Sequence, residues 1–246
     1  MLAHSPSITL PGIVLCLDAS NPRCYSSGST GVDLISGLTL SNNGINVSTY
    51  TPSSGGSAVK AWVFPNAGSV YPTLPNSSIY NFRTSISWDF VACKENDSNR
   101  QSVWSQINTS SPWDGMGLVS LSHDSTGQLA WWTGNYSTSG NWWGTGIYPP
   151  TNKWVYAAGT WAGTTLTAYS RTVGSSAFST ATTSSFGTFN GATSSNTFRL
   201  GDNGTSSAEP AQILDGAIGF VRIWNTALTA EQVSQNFESI RGRYGL

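Results

Sequence analysis

Apolar residues recur at every second position through much of the chain. In TSISWDFVACK (84–94), Ile86, Trp88, Phe90 and Ala92 share one face of an extended backbone, and Ser85, Ser87 and Asp89 share the other. Comparable short runs are GIVLCL (12–17), KAWVF (60–64), QSVWSQI (101–107), GMGLVSLSH (115–123), QLAWWTGN (128–135), KWVYAAGTW (153–161), TTLTAYS (164–170), NTFRLGD (196–202) and ILDGAIGFVRIWN (213–225). Turn residues separate them, among them Asp114-Gly115, Asn203-Gly204 and Asp215-Gly216, and Ala162-Gly163 marks a tight hairpin. Strands at this density predict an all-β, antiparallel β-sandwich. Residues 26–56 and 172–196, rich in Ser, Gly, Thr and Asn, read as long loops.

One stretch departs from the period of two. Thr229-Ala230-Glu231-Gln232 is a capping box, and Leu228 and Val233 stand at the two positions of a hydrophobic staple. Ala230, Val233, Phe237 and Ile240 then fall on one helical face, and Gly242 ends the pattern. The spacing predicts one short helix over about 229–241, a plug for a sheet edge or an open end of the sandwich. Residues 1–11, with Pro6 and Pro11, form an N-terminal arm that gains order against a partner, and 12–246 form a single domain.

Composition narrows the function. Apolar residues make up 38% of the 246, with 11 Trp, 9 Tyr and 9 Phe, which is enough for a core and excludes disorder. Charged residues are only 9%, so the surface is like the interior of an interface. The formal charge of −1 and the scattered basic residues give no nucleic-acid footprint and no polybasic membrane segment. No apolar run approaches the ~20 residues of a membrane span. The N-terminus has no basic region followed by an apolar stretch, so a protein made and kept in the cytoplasm is expected. Cys16, Cys24 and Cys93 show no metal-ligand spacing, and Cys16 reads as a small buried hydrophobe.

Several motifs together resemble the concanavalin A-like, laminin G-type jelly-roll domains. WNTALTAEQV (224–233) is similar to that family's passage from last strand to helix. NKWVYAAGTWAGTTLTAY (152–169), FRLGDN (198–203) and LDGAIGFVRIWN (214–225) are similar to its internal strands. IVLCLDASNPRCY (13–25) with VDLISG (32–37), and NFESIRGRYGL (236–246), resemble the two ends of tailed-phage virion members. The resemblance implies a jelly roll closed by a C-terminal helix. It also implies a virion structural protein assembled in the host cytoplasm, decorating a capsid or serving as a tail appendage. Its expected partners are other virion subunits and further copies of itself. Two positions depart from the family: its acidic pair before the last strand is Gly219-Phe220 here, and its glycine turn is Tyr169-Ser170-Arg171-Thr172.

Candidate chemistry is sparse. Superfamily glucanases carry three acids on one strand, aimed into a cleft. This chain has only Glu95, Glu209, Glu231 and Glu238, with Asp97 near Glu95, and its histidines are His4 and His123. No enzyme, no cofactor and no metal site is expected. Asp18, Asp33, Asp202 and Asp215 lie near strand ends where a calcium ion could sit, but turn roles suit them as well. The strongest anomaly is LAWWTGNYSTSGNWWGTGIYPP (129–150). In strands, one member of each pair Trp131-Trp132 and Trp142-Trp143 should enter the core and the other should not. With Tyr136 and Tyr148 they form a candidate binding surface, for a virion partner or, alternatively, for a host-surface glycan.

Overall fold

The computed structural model describes residues 7–25, 28, 30–64, 71–77, 85–97, 100–107, 115–122, 126–133, 141–184, 197–202 and 213–246. The elements run β1 (Ile13–Asp18), β2 (Thr30–Val32), β3 (Thr39–Ser41), β4 (Asn46–Tyr50), β5 (Val59–Phe64) and β6 (Thr73–Leu74). There follow β7 (Ser85–Lys94), β8 (Gln101–Ile107), β9 (Gly115–Ser122), β10 (Ala130–Thr133), β11 (Asn141–Gly144) and β12 (Val155–Ala162). The rest are β13 (Thr165–Thr172), β14 (Ser179–Thr183), β15 (Phe198–Leu200), β16 (Gly216–Trp224), α1 (Ala230–Glu238) and α2 (Arg241–Tyr244). All strand pairs among the described residues are antiparallel.

Two sheets form. Sheet I has the order β14-β13-β12-β7-β16-β5-β4, with β1 also paired to β16; sheet II has the order β11-β10-β9-β8-β15-β6-β3-β2. The inward positions of both interdigitate. Trp62, Trp88, Phe90 and Trp161 from sheet I meet Trp104, Trp131, Phe198 and Leu200 from sheet II in one buried cluster. Trp88 stacks on Trp131 at 5.1 Å and 10° between planes, and Trp104 meets Trp131 edge-on at 5.5 Å. Such aromatic pairs stabilise beyond their buried area.

The predicted loops are partly strands. Residues 26–56 contain β2, β3 and β4, and 172–196 contain β14. These strands are short and polar, with exposed positions, because they lie at or near sheet edges where one face meets water. The hairpin turn is Gly163-Thr164, one residue beyond the expected position, since Ala162 still pairs with Thr165. Instead of turning at 169–172, β13 runs to Thr172, and the chain turns at Val173-Gly174.

The C-terminal helix starts as its sequence dictates. The Gln232 amide donates to Thr229 Oγ1 and the Gln232 side chain accepts from the Thr229 amide at 2.8 Å. Leu228 and Val233 are both buried. Its end differs from expectation. Helix α1 stops at Glu238, Gly242 lies inside α2, and Gly245, at φ 69°, makes the left-handed cap. Ala230 is exposed, and Asn236 takes a buried place instead.

The helix covers a face rather than an edge or end of the sandwich. Val233, Phe237, Ile240 and Tyr244 pack on Val91, Tyr156, Phe220 and Trp224 of sheet I and on Trp154 just before β12, forming a second buried cluster. Strand β7 is therefore buried on both faces, and Ser87 and Asp89 are inside. Each has a partner. Ser87 Oγ accepts the Leu228 amide at 2.8 Å. Asp89 accepts Arg222 Nε at 2.8 Å and Nη2 at 2.5 Å, with the Tyr156 hydroxyl 3.1 Å from its Oδ2. The Arg222 guanidinium lies over Phe220 at 4.5 Å and Trp224 at 5.6 Å. Burial pushes the Asp89 carboxyl above its ordinary value, and the bidentate Arg222 opposes that shift.

Gly219 explains one departure from the family pattern. A Cβ there would stand 2.5 Å from the Tyr244 hydroxyl, so the closing segment leaves no room for an acid. Residues 7–10 are also tied to this region. The Thr9 amide donates to Asn236 Oδ1 at 2.7 Å, Trp224 Nε1 donates to the Thr9 carbonyl at 2.8 Å, and Gln235 Nε2 donates to the Ser7 carbonyl at 2.7 Å. Residues 7–9 are thus hydrogen-bonded to the chain's own helix and last strand. No helix among the described residues is long and apolar enough to cross a membrane.

Candidate functional site

On sheet II, backbone pairing aligns Trp142 with Trp132, Trp132 with Leu118, Leu118 with Ser105, Ser105 with Arg199 and Arg199 with Thr73. Directly paired residues project from the same face of a sheet. For Trp142, Trp132, Ser105, Arg199 and Thr73 that face is the outer one, because the neighbours Trp131, Trp104, Phe198 and Leu200 point into the core. From β11 to β6 the row crosses five strand steps of ~4.8 Å, about 24 Å in all.

At the β11 end, Trp132 and Trp142 meet at 6.3 Å with planes tilted by 50°, and the Arg100 guanidinium lies 5.5 Å from the Trp142 ring centre. Trp132 is buried and Trp142 half-buried. On the inner side, Trp131 is buried, and Trp143 is half-buried against the core. One member of each pair, Trp131 and Trp143, does meet the core, while Trp132 and Trp142 lie outside that cluster but are covered rather than open. Both residues of the first pair are buried, because the outward one lies against Trp142 rather than in water. In the second pair each is half-covered, because β11 ends the sheet. Tyr148 stands 60% exposed just beyond, while Ile147 packs on the core. Tyr136 lies outside the described residues.

At the other end, Asn43, Tyr71, Thr73, Thr197 and Arg199 line an open hollow of about 350 Å³. The Arg199 guanidinium is 5.8 Å from the Tyr71 ring centre. Asn43, at φ 47°, donates from Nδ2 to the Tyr71 carbonyl at 2.9 Å and to Thr73 Oγ1 at 3.2 Å. These residues were not singled out from the sequence. Their signal was present in the alternation of Tyr71-Pro72-Thr73-Leu74 and Thr197-Phe198-Arg199-Leu200, whose even members are all buried. Only the pairing of β15 with β6 brings the two odd sets together.

The acidic residues serve local structure. Glu95 accepts the Tyr50 hydroxyl at 2.8 Å, Asp97 pairs with Lys94, and Glu238 pairs with Arg241 at 2.5 Å. Glu231, in the first turn of α1, has its carboxyl held below the ordinary value by hydrogen bonds to Thr229 and the helix start. Asp18 accepts the Ser20 amide at 2.9 Å, in the expected turn, and Arg243 Nη1 at 2.7 Å. Asp33 accepts the amides of Cys16 and Ile35, and Asp215 accepts Asn96. Asp202 is buried. Among the described residues, no three His, Cys, Asp or Glu side chains converge to hold a metal ion. His4, His123 and Glu209 lie outside the described residues. The three cysteines are free and buried, and burial pushes the Cys16 thiol up to about 12 and those of Cys24 and Cys93 to about 11.

Two eight-stranded antiparallel sheets around one core, closed by a C-terminal helix, define a jelly-roll β-sandwich. The family model of the concanavalin A-like lectin/glucanases superfamily matches residues 39–234, and the chain belongs to that superfamily. No curated protein sequence matches it. Among solved structures, it is similar to domain 4 of AbnA, a GH43 extracellular arabinanase from Geobacillus stearothermophilus, in complex with arabinotriose. The TM-score is 0.56 at 17% identity, covering 91% of this chain and 97% of that one. It is also similar to the binding domain of botulinum neurotoxin DC in complex with SialylT, with TM-score 0.60 and 12% identity, covering 94% and 52%. Trypanosoma rangeli sialidase in complex with sialic acid gives TM-score 0.58 and 15% identity, covering 96% and 34%. The chain thus spans about half of the toxin chain and a third of the sialidase.

Proposed function

We propose that the chain is a non-catalytic carbohydrate-binding module that takes its ligand on the outer face of sheet II. The observation that carries this reading is the half-buried Trp142, backed by Trp132 and flanked by Arg100 at the sheet edge. The face of an aromatic ring is electron-rich and attracts the C–H-lined face of a sugar. Packing already holds this ring, so little side-chain freedom is lost on binding. The arabinanase domain to which this one is similar, in complex with arabinotriose, supports the ligand class. Local partners for Glu95, Asp97 and Glu238 support a module without hydrolytic machinery.

A glycan array with the parent protein and Trp142→Ala tests this. The parent should retain at least one glycan class and the variant should lose it, with no hydrolysis of the retained glycan. An array on which the parent binds nothing, or on which both bind equally, overturns the Trp142 site.

A second reading is a tailed-phage virion component, on a capsid or a tail, joined to other subunits and to its own copies. Leu10, Val32 and Ile35, 61%, 38% and 41% exposed, favour it as apolar side chains suited to a protein contact. Fractionated virions that lack the chain overturn it.

A further inference from the structure

We infer that the Tyr71–Arg199 hollow binds a carboxylate-bearing sugar, so that this face takes acidic rather than neutral glycans. The inference rests on the carbohydrate reading of sheet II but uses a different site from Trp142. Among the described residues, Arg199 is the one charged residue of the lining. Arg199 is only partly buried and lines the hollow. A guanidinium N–H open to the hollow can donate a short charge-assisted bond to a carboxylate. The rest of the lining suits a sugar ring. Tyr71, its ring centre 5.8 Å from the guanidinium, adds an aromatic wall. Thr73 and Thr197 supply hydroxyl groups, which both donate and accept as ring hydroxyls require. The hollow is shaped by the backbone as well, because Asn43 holds the Tyr71 carbonyl and Thr73 from a left-handed turn.

The test is titration of the isotope-labelled full chain with glucuronate, glucose and sulfate at constant ionic strength, followed by NMR and calorimetry. Glucuronate should shift the amides of 41–43, 71–73 and 197–199 and bind at least tenfold tighter than glucose. Arg199→Gln should abolish that preference. Thr197→Glu, which places a carboxylate beside Arg199, should do the same; it keeps the test valid if Arg199→Gln fails to fold. The inference is overturned if glucose binds as well as glucuronate or if the shifts fall elsewhere. Equal binding of sulfate at the same amides also overturns it, because the hollow would then be a plain anion site. A blank glycan array beside a glucuronate-specific hollow would remove the Trp142 reading and leave this one standing.

Discussion

The two outer faces of the sandwich start from the same alternating pattern and meet different fates. On sheet I, the outward residues of β7, β12 and β16 lie beneath α1 and α2, and even Asp89 and Arg222 are buried there. On sheet II, the outward row carries Trp142 at one end and an open hollow lined by Arg199 and Tyr71 at the other. On the first face the Asp89–Arg222 charges are paired and the rings packed. The second keeps Trp142 only half-buried at one end and the polar lining of a hollow open to solvent at the other. The difference teaches that polarity alone does not mark a binding face, because Ser87 and Asp89 look as polar in sequence as Thr73 and Arg199.

Substitutions can break this contrast. The largest effects belong to the sealed face. Asp89→Asn leaves Arg222 buried without a counter-charge and should cost ~3–5 kcal/mol of stability. Phe237→Ala, which empties a site packed by Tyr156 and Phe178 at 5.3 Å each, should cost a similar ~3–5 kcal/mol. Urea unfolding measures both, and a loss below about 1 kcal/mol for either would mean that the helix does not seal sheet I. Glycan binding by these variants, measured where they remain folded, should match the parent. Trp142→Ala should do the opposite. It should weaken glycan binding by about 2 kcal/mol, as for a hot spot, and move stability by much less. Gly219→Ala forces a methyl group against Tyr244 and should cost ~1–3 kcal/mol as overpacking. The smallest effect is loss of the helix cap, where Thr229→Ala should cost ~1 kcal/mol. An unchanged thermal midpoint in that variant would break the account of where the helix starts.

Much of the fold was legible in the chain itself. The period of two in 84–94, the turn residues between short apolar runs and the Thr229–Gln232 capping box depend on neighbours a few residues away, so local chemistry determined them. The capping box formed because both of its hydrogen bonds are local. What the helix covers was not legible, since nothing local distinguishes a face from an edge. Packing decided it, and with it the burial of Asp89 against Arg222, 133 residues away in sequence. The polar edge strands β2, β4 and β14 read as loops for the same reason, because pairing partners rather than side-chain pattern hold them in the sheets. The tryptophan pairs were visible as an anomaly, but their exposure was not, because it depends on β11 ending the sheet. The hollow at Tyr71 and Arg199 joins segments more than a hundred residues apart. Only the antiparallel pairing of β6 with β15 put an aromatic face and a cation on the same side of one sheet.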